Sequence, residues 1–226
     1  MQEERLDTAH QAWDRRWADP TTRASWNQPE PAVTELVPAL VARGVRRVVD
    51  VGTGIGRHAL VFARASFEVV AIDASPTGLA ELRREADAQG LRIDTRLAPF
   101  TSLPIDDDSI DHVLAWNVLY HGDADVVRTA FSECRRVLHP GGTTQLTMLS
   151  KRHRAFGAGR EVRPDTFVDD QSAGDKSHPH FYVDATTLTA MLTDAHLEAL
   201  SVVDIDQQPP GSFHWTVLAE AAVRER

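Results

Sequence analysis

Val48-Val49-Asp50-Val51-Gly52-Thr53-Gly54-Ile55-Gly56-Arg57-His58 decides the fold: a β-branched apolar run ends in an acid and then in three glycines, each two residues from the next. The run reads as a strand. The glycines read as a tight turn, because they permit positive φ and let the backbone come close to a ligand. Residues 57–63 read as a helix whose first, unpaired amides would face that same ligand. A second apolar run, Phe67 to Asp73, also ends in an acid. It lies about 20 residues past the glycine turn, where a βαβ unit places a carboxylate on a ribose. The two oxygens of Asp73 can accept from both ribose hydroxyls.

A dinucleotide site and the pattern here are easily confused, but the spacing Gly52-x-Gly54-x-Gly56 is not G-x-G-x-x-G. Asp50, two residues before the first glycine, would repel a pyrophosphate and attract an ammonium. An amino-acid-bearing nucleoside is therefore favoured over a dinucleotide. Four segments, VVDVGTGIG, VVAIDAS, LPIDDDSIDHVLAWNVLYH and RRVLHPGG, occur in that order. Through them the chain resembles the class I S-adenosylmethionine-dependent methyltransferases, firmly over residues 45–150 and loosely beyond. The loop segments GRHAL, LSKR, HFY and FHWTVLAE add a resemblance to the tellurite-resistance-type small-molecule methyltransferases.

The resemblance implies S-adenosyl-L-methionine as cofactor. Gly52, Thr53, Gly54 and Gly56 would wrap its methionine portion, with Asp50 orienting the turn or meeting the ammonium. Asp73 and Ala74 would stand at the ribose. Pro99 and Phe100 would flank the adenine, and Pro99 stands where the family often has an acid, which leaves recognition to backbone and packing. Asn117 would cap or touch the cofactor.

In an open α/β sheet the ligand crevice lies beyond the carboxyl ends of the strands, so residues 117–121 border cofactor and acceptor. His121 is the candidate general base or acceptor anchor, since an imidazole takes a proton near neutral pH; a helix cap is the plain alternative. Tyr120, Trp17 and His180 are the expected substrate contacts. Trp13, Trp17 and Arg16 fall on an N-terminal amphipathic helix and Trp26 follows it; packing on the body competes with a role as cofactor wall. His178 and His180 have a spacing that could suit a metal, but the neighbouring sequence offers no third ligand, and no metal is expected.

The 226 residues carry 42% hydrophobic and 25% charged side chains, which fits one domain, residues 1–226, with an N-terminal helical cap over 1–30 and a substrate-side loop over 151–183. The loop is long, polar and rich in Gly, Asp and His, as functional lids often are. A net charge of −9 disfavours nucleic acid as partner, and no run is long and apolar enough to span a bilayer or serve as a signal core. A small-molecule substrate and a cytoplasmic location are expected. The single Cys134 reads as a core residue rather than a nucleophile.

Alternating patterns predict helices over 3–18, 31–43, 55–65, 76–89, 123–137 and 185–195. Strands are predicted over 45–51, 67–73, 91–97, 110–116, 143–149, 199–206 and 213–221. This is an α/β, Rossmann-like, doubly wound, mostly parallel seven-stranded sheet in a three-layer α/β/α arrangement. Its last two strands lack room for a crossover helix and form an antiparallel hairpin. The function expected is methyl transfer to a small S, O or N nucleophile or a chalcogen oxyanion. No acidic or NPPY-type signature follows the fourth strand, which argues against nucleobase or glutamine amides. A nucleotide-cofactor oxidoreductase and a non-catalytic binding module of this fold are the alternatives.

Overall fold

The computed structural model describes residues 9–169, 171 and 175–222. Its strands in chain order are β1 (Arg47–Val51), β2 (Glu68–Asp73), β3 (Ile93–Leu97), β4 (Ile110–Ala115), β5 (Leu138–Ser150), β6 (Arg160–Arg163), β7 (Thr166–Val168), β8 (His180–Val183), β9 (Leu197–Asp206) and β10 (Phe213–Ala221). The helices are α1 (Ala9–Ala18), α2 (Pro20–Ser25), α3 (Pro31–Thr34), α4 (Val37–Ala42), α5 (Ala59–Arg64), α6 (Pro76–Ala88), α7 (Ala124–Val137) and α8 (Ala185–Asp194).

Strands β3, β2, β1, β4 and β5 lie side by side in parallel, and β10 then β9 continue beyond β5 in antiparallel pairing. The expected seven-stranded sheet and terminal hairpin are both present. Chain direction across the sheet reverses between β1 and β4, the switch point at which such sheets open a crevice. Alternate side chains serve opposite layers, as the strand repeat of two requires. Val48, Val69, Ala71 and Leu114 pack with Phe62 of α5 and Leu82 of α6, while Val49, Ile72, Val113 and Ala115 pack with Phe131 of α7 and Leu188 of α8. Cys134 is buried in the second layer, as expected.

Several segments differ from the sequence expectation. The helix expected over 31–43 is two short ones, because Pro38 lacks an N–H and its ring clashes with the carbonyl four residues back. The helix expected over 55–65 begins only at Ala59, since Gly56 sits at φ +82 in the turn. A short helix over Pro20–Ser25, capped by Asp19, was not anticipated. The helix expected from residue 3 is seen from Ala9, and residues 3–8 lie outside the described residues.

The largest difference lies in 151–183, expected to be loop without core. It supplies β6, β7 and β8, which extend the network to ten strands. All four residues of β8 are buried. Phe181-Tyr182-Val183 is a strand-forming run too short to stand out between Pro179 and the helix-capping Asp184. β8 pairs with Leu149 and Ser150 of β5, while β4 pairs no further along that strand than Leu146. It thus flanks the segment that leaves β4.

Candidate functional site

A cavity of about 520 Å³ opens at the carboxyl ends of β1, β2 and β4. Gly52 to Ile55 form one wall, Asp73 and Ala74 a second, Leu97 to Thr101 a third and Trp116 to Val118 with His121 a fourth. Trp13, Trp17 and Trp26 close it from the N-terminal side. The volume lies within the usual range for small-ligand sites.

The glycine turn is pinned to β2. Gly52 and Thr53 donate their amides to the Ile72 carbonyl at 2.8 and 3.0 Å, and Gly54 donates to Asp73 Oδ2 at 2.7 Å. Asp73 Oδ1 accepts from Ser75 N at 2.7 Å. Each Asp73 oxygen keeps a second lone pair for a ligand hydroxyl. Burial raises the Asp73 carboxyl above its ordinary range, against the amides that favour its anion. Gly54 sits at φ +55, and a Cβ there would stand 2.8 Å from Trp17 Cζ2, so only a glycine lets the indole close on the turn.

Two expected cofactor contacts have other duties. Asp50 does not line the cavity: its Oδ2 accepts from Thr53 Oγ1 at 2.7 Å and Ala59 N at 3.1 Å, bracing the turn and capping α5. Full burial pushes its carboxyl up to about 7, outweighing those hydrogen bonds and the nearby Arg57. Gly56 is also absent from the lining, and a Cβ there would lie 2.1 Å from Leu82 Cδ1; it is glycine so that α6 can pack on the turn. Thr53, Ala74, Pro99, Phe100 and Asn117 do line the cavity.

The N-terminal segment forms a roof. Asp14 of α1 accepts from Ser75 Oγ at 2.6 Å and Thr77 N at 3.0 Å, tying α1 to the start of α6. Trp13 and Trp17 stack with centroids 5.1 Å apart, and Trp26 meets Trp13 edge-on at 5.2 Å. Arg57 holds the roof to the body through Glu30 at 3.1 Å and lies over the Trp26 ring at 5.2 Å. Trp17, Trp13 and Trp26 all line the cavity. His58, which accepts from Glu30 N at 3.2 Å, lines the cavity and was not anticipated; burial holds its pKa well below the ordinary value. Only its place beside the glycine turn could have flagged it.

After β4 the chain turns at Asn117, a left-handed residue at φ +57, which Asn tolerates better than most. Its N–H donates to Thr147 Oγ1 at 2.7 Å, and its Oδ1 accepts from that hydroxyl at 3.0 Å. His121 lines the cavity, but Tyr120 and His180 do not. They lie behind it, their rings 5.9 Å apart, because Phe181 N donates to the Tyr120 carbonyl at 2.9 Å and draws β8 against this loop. His121 Nδ1 lies 2.9 Å from His178 Nε2. The third imidazole that the sequence neighbourhood lacked is thus His121. Burial, then His178 and Lys176, hold the His121 pKa well below the ordinary value, so its ring is neutral at pH 7. So acidic a conjugate acid makes it a weaker base than the sequence implied.

Residues 48–142 match the family model described as a methyltransferase domain. A ubiquinone biosynthesis O-methyltransferase of Methylocella silvestris is 34% identical over 112 residues, covering 49% of this chain and 42% of that protein. The match therefore spans under half the length of that relative. Among solved structures, magnesium protoporphyrin IX methyltransferase of Synechocystis with bound S-adenosylmethionine superposes with a TM-score of 0.69 at 15% identity, covering 97% of this chain and 100% of that one. The 1,6-didemethyltoxoflavin-N1-methyltransferase of Burkholderia thailandensis gives 0.68 at 20% identity, over 98% and 93%. At these identities the structural likeness speaks to fold.

Proposed function

With residues 48–142 matching the methyltransferase domain and the sheet in class I methyltransferase order, we propose that this chain uses S-adenosyl-L-methionine to methylate a small-molecule acceptor. The observation that carries the reading is the Asp73–Gly54 pair at the mouth of a Trp-roofed cavity of about 520 Å³. Asp73 would accept from the ribose hydroxyls, the Gly52–Ile55 backbone would follow the methionine portion, and Phe100 would pack on the adenine. Asp50 acts at one remove, by holding the turn that presents those amides.

When bound, the cofactor supplies a methyl group already activated by its sulfonium, so the transfer is an in-line displacement. The chain has to align the acceptor and keep water out. Trp13, Trp17 and Trp26 cover the cavity and do the second. His121, neutral and at the cavity wall, offers a lone pair on the acceptor side. The acceptor atom is O, S or N, or a chalcogen oxyanion of the kind the loop resemblance suggests. The relatives are named for ubiquinone biosynthesis, 1,6-didemethyltoxoflavin and magnesium protoporphyrin IX, which accords with an aromatic-walled cavity.

The test is calorimetry with S-adenosylhomocysteine. Wild type should bind it and show no comparable thermal shift with NADH, and Asp73→Ala should weaken binding by about 2 kcal/mol through loss of charge-assisted bonds. Unchanged affinity in a folded Asp73→Ala protein would remove the site assignment. Turnover is then sought in a screen of phenols, thiols, amines and tellurite or selenite with labelled cofactor.

A further inference from the structure

Behind the cavity wall three imidazoles converge from two segments far apart in sequence. His121 follows β4, and His178 and His180 stand at the entrance to β8. The Phe181–Tyr120 backbone hydrogen bond fixes the two segments at 2.9 Å. The ring centroids are 4.5 to 4.8 Å apart, and one nitrogen of each ring lies within 4.8 Å of the others. His180 Nδ1 faces the His178 carbonyl at 2.7 Å. A carbonyl only accepts, so Nδ1 holds the proton and Nε2 presents a lone pair. Metal-bound histidines are oriented in this way, with the far nitrogen on a backbone carbonyl.

We propose that His121, His178 and His180 form a site for one divalent metal ion of the zinc class, its fourth position open towards the cavity for an anionic oxygen or sulfur of the methyl acceptor. The second half of this rests on the methyltransferase reading; the first does not. Three histidines with one open position is a catalytic zinc arrangement, and imidazole also suits nickel, copper and iron. Zinc–nitrogen bonds of about 2.1 Å in a tetrahedron set ligand nitrogens about 3.4 Å apart. To reach that spacing the His121–His178 pair, at 2.9 Å, would open by a few tenths of an ångström and His180, with its ligand nitrogen within 4.8 Å of the others, would close on them. Neutral imidazoles leave the ion's charge uncompensated, and the charged groups acting on His121 and His180 are the cations Lys176 and Arg16. An anionic fourth ligand answers that excess. It would hold the acceptor where His121 meets the cavity, and an acceptor oxygen or sulfur bound to a metal is an anion without a strong protein base.

The experiment titrates Co²⁺ and Zn²⁺ into chelator-treated full-length protein, alongside calorimetry with S-adenosylhomocysteine. Wild type should take up one equivalent of Co²⁺ with visible bands of a four- or five-coordinate site, Zn²⁺ should abolish them, and 2-mercaptoethanol should shift them. His178→Gln and His180→Asn should each weaken metal binding by about 100-fold or more while circular dichroism and S-adenosylhomocysteine affinity stay near wild type. Two variants guard against one misfolding. Wild type that binds S-adenosylhomocysteine but takes up no stoichiometric metal overturns the site, as does unchanged metal affinity in both folded variants. Bands indifferent to thiol overturn the open fourth position. Stoichiometric metal with no S-adenosylhomocysteine binding would instead sink the methyltransferase reading and leave the site standing.

Discussion

At the scale of single residues, Asp50 shows how a side chain can serve a site without touching its ligand. Both its hydrogen bonds end on one oxygen, Oδ2, from Thr53 Oγ1 and Ala59 N. An Asn carbonyl oxygen could accept both, so Asp50→Asn should fold and keep the turn. It removes a titration. The folded carboxyl is pushed up to about 7 from the ordinary 3.8 of an unfolded chain, so between those values the native state binds more protons than the unfolded chain. Stability from this group is therefore fullest below about pH 4 and declines as pH rises to about 7. The expected outcome is a melting temperature that falls, relative to Asp50→Asn, as pH is raised across that window; parallel curves for the two proteins would contradict it. Asp50 was legible in the sequence as part of the turn. That it braces the turn rather than meeting an ammonium was not, because the choice depends on where the start of α5 falls, and Gly56 moves that start to Ala59.

At the scale of elements, α1 is the part whose role the sequence left open between roof and packing. Trp13 and Trp17 lie four residues apart, on one face of the helix. That face meets the glycine turn because Asp14 anchors the helix to the start of α6. Trp17 is only 6% exposed, so Trp17→Ala should cost about 3 kcal/mol in denaturant titration, as large-to-small changes at buried aromatics do. Because the indole also closes on Gly54, the same variant should lose S-adenosylhomocysteine affinity, read by calorimetry on the folded fraction. Loss of stability with unchanged affinity would make α1 packing alone. β8 teaches the converse. Its four residues lacked any periodic signal, yet pairing with the end of β5 buries them and carries His178 and His180 to His121.

At the scale of the molecule, β10 is the seam between the parallel sheet and its edge. It pairs with β5 from Thr143 to Leu149 on one side and with β9 along its whole length on the other. A chain truncated before Leu197 would bare that stretch of β5 and remove the Ala222 carbonyl that accepts from Arg135 Nη2 at 2.9 Å. An unpaired, buried-type strand edge invites association, so the truncated protein should be largely insoluble or aggregated in sedimentation, whereas a monodisperse product would show the hairpin to be dispensable. The sequence by itself determined the alternation of strands and helices, the terminal hairpin, the glycine turn and the acid at Asp73, since each is written in local signals: apolar period, glycine, and an acid closing a strand. Tertiary structure decided which of those residues face the cavity, that Tyr120 and His180 stand behind it, and that three histidines meet. The physical reason is that burial and side-chain convergence arise from pairing between segments distant in the chain. His121 and His178 become neighbours only through β8 on β5, a contact no local pattern encodes.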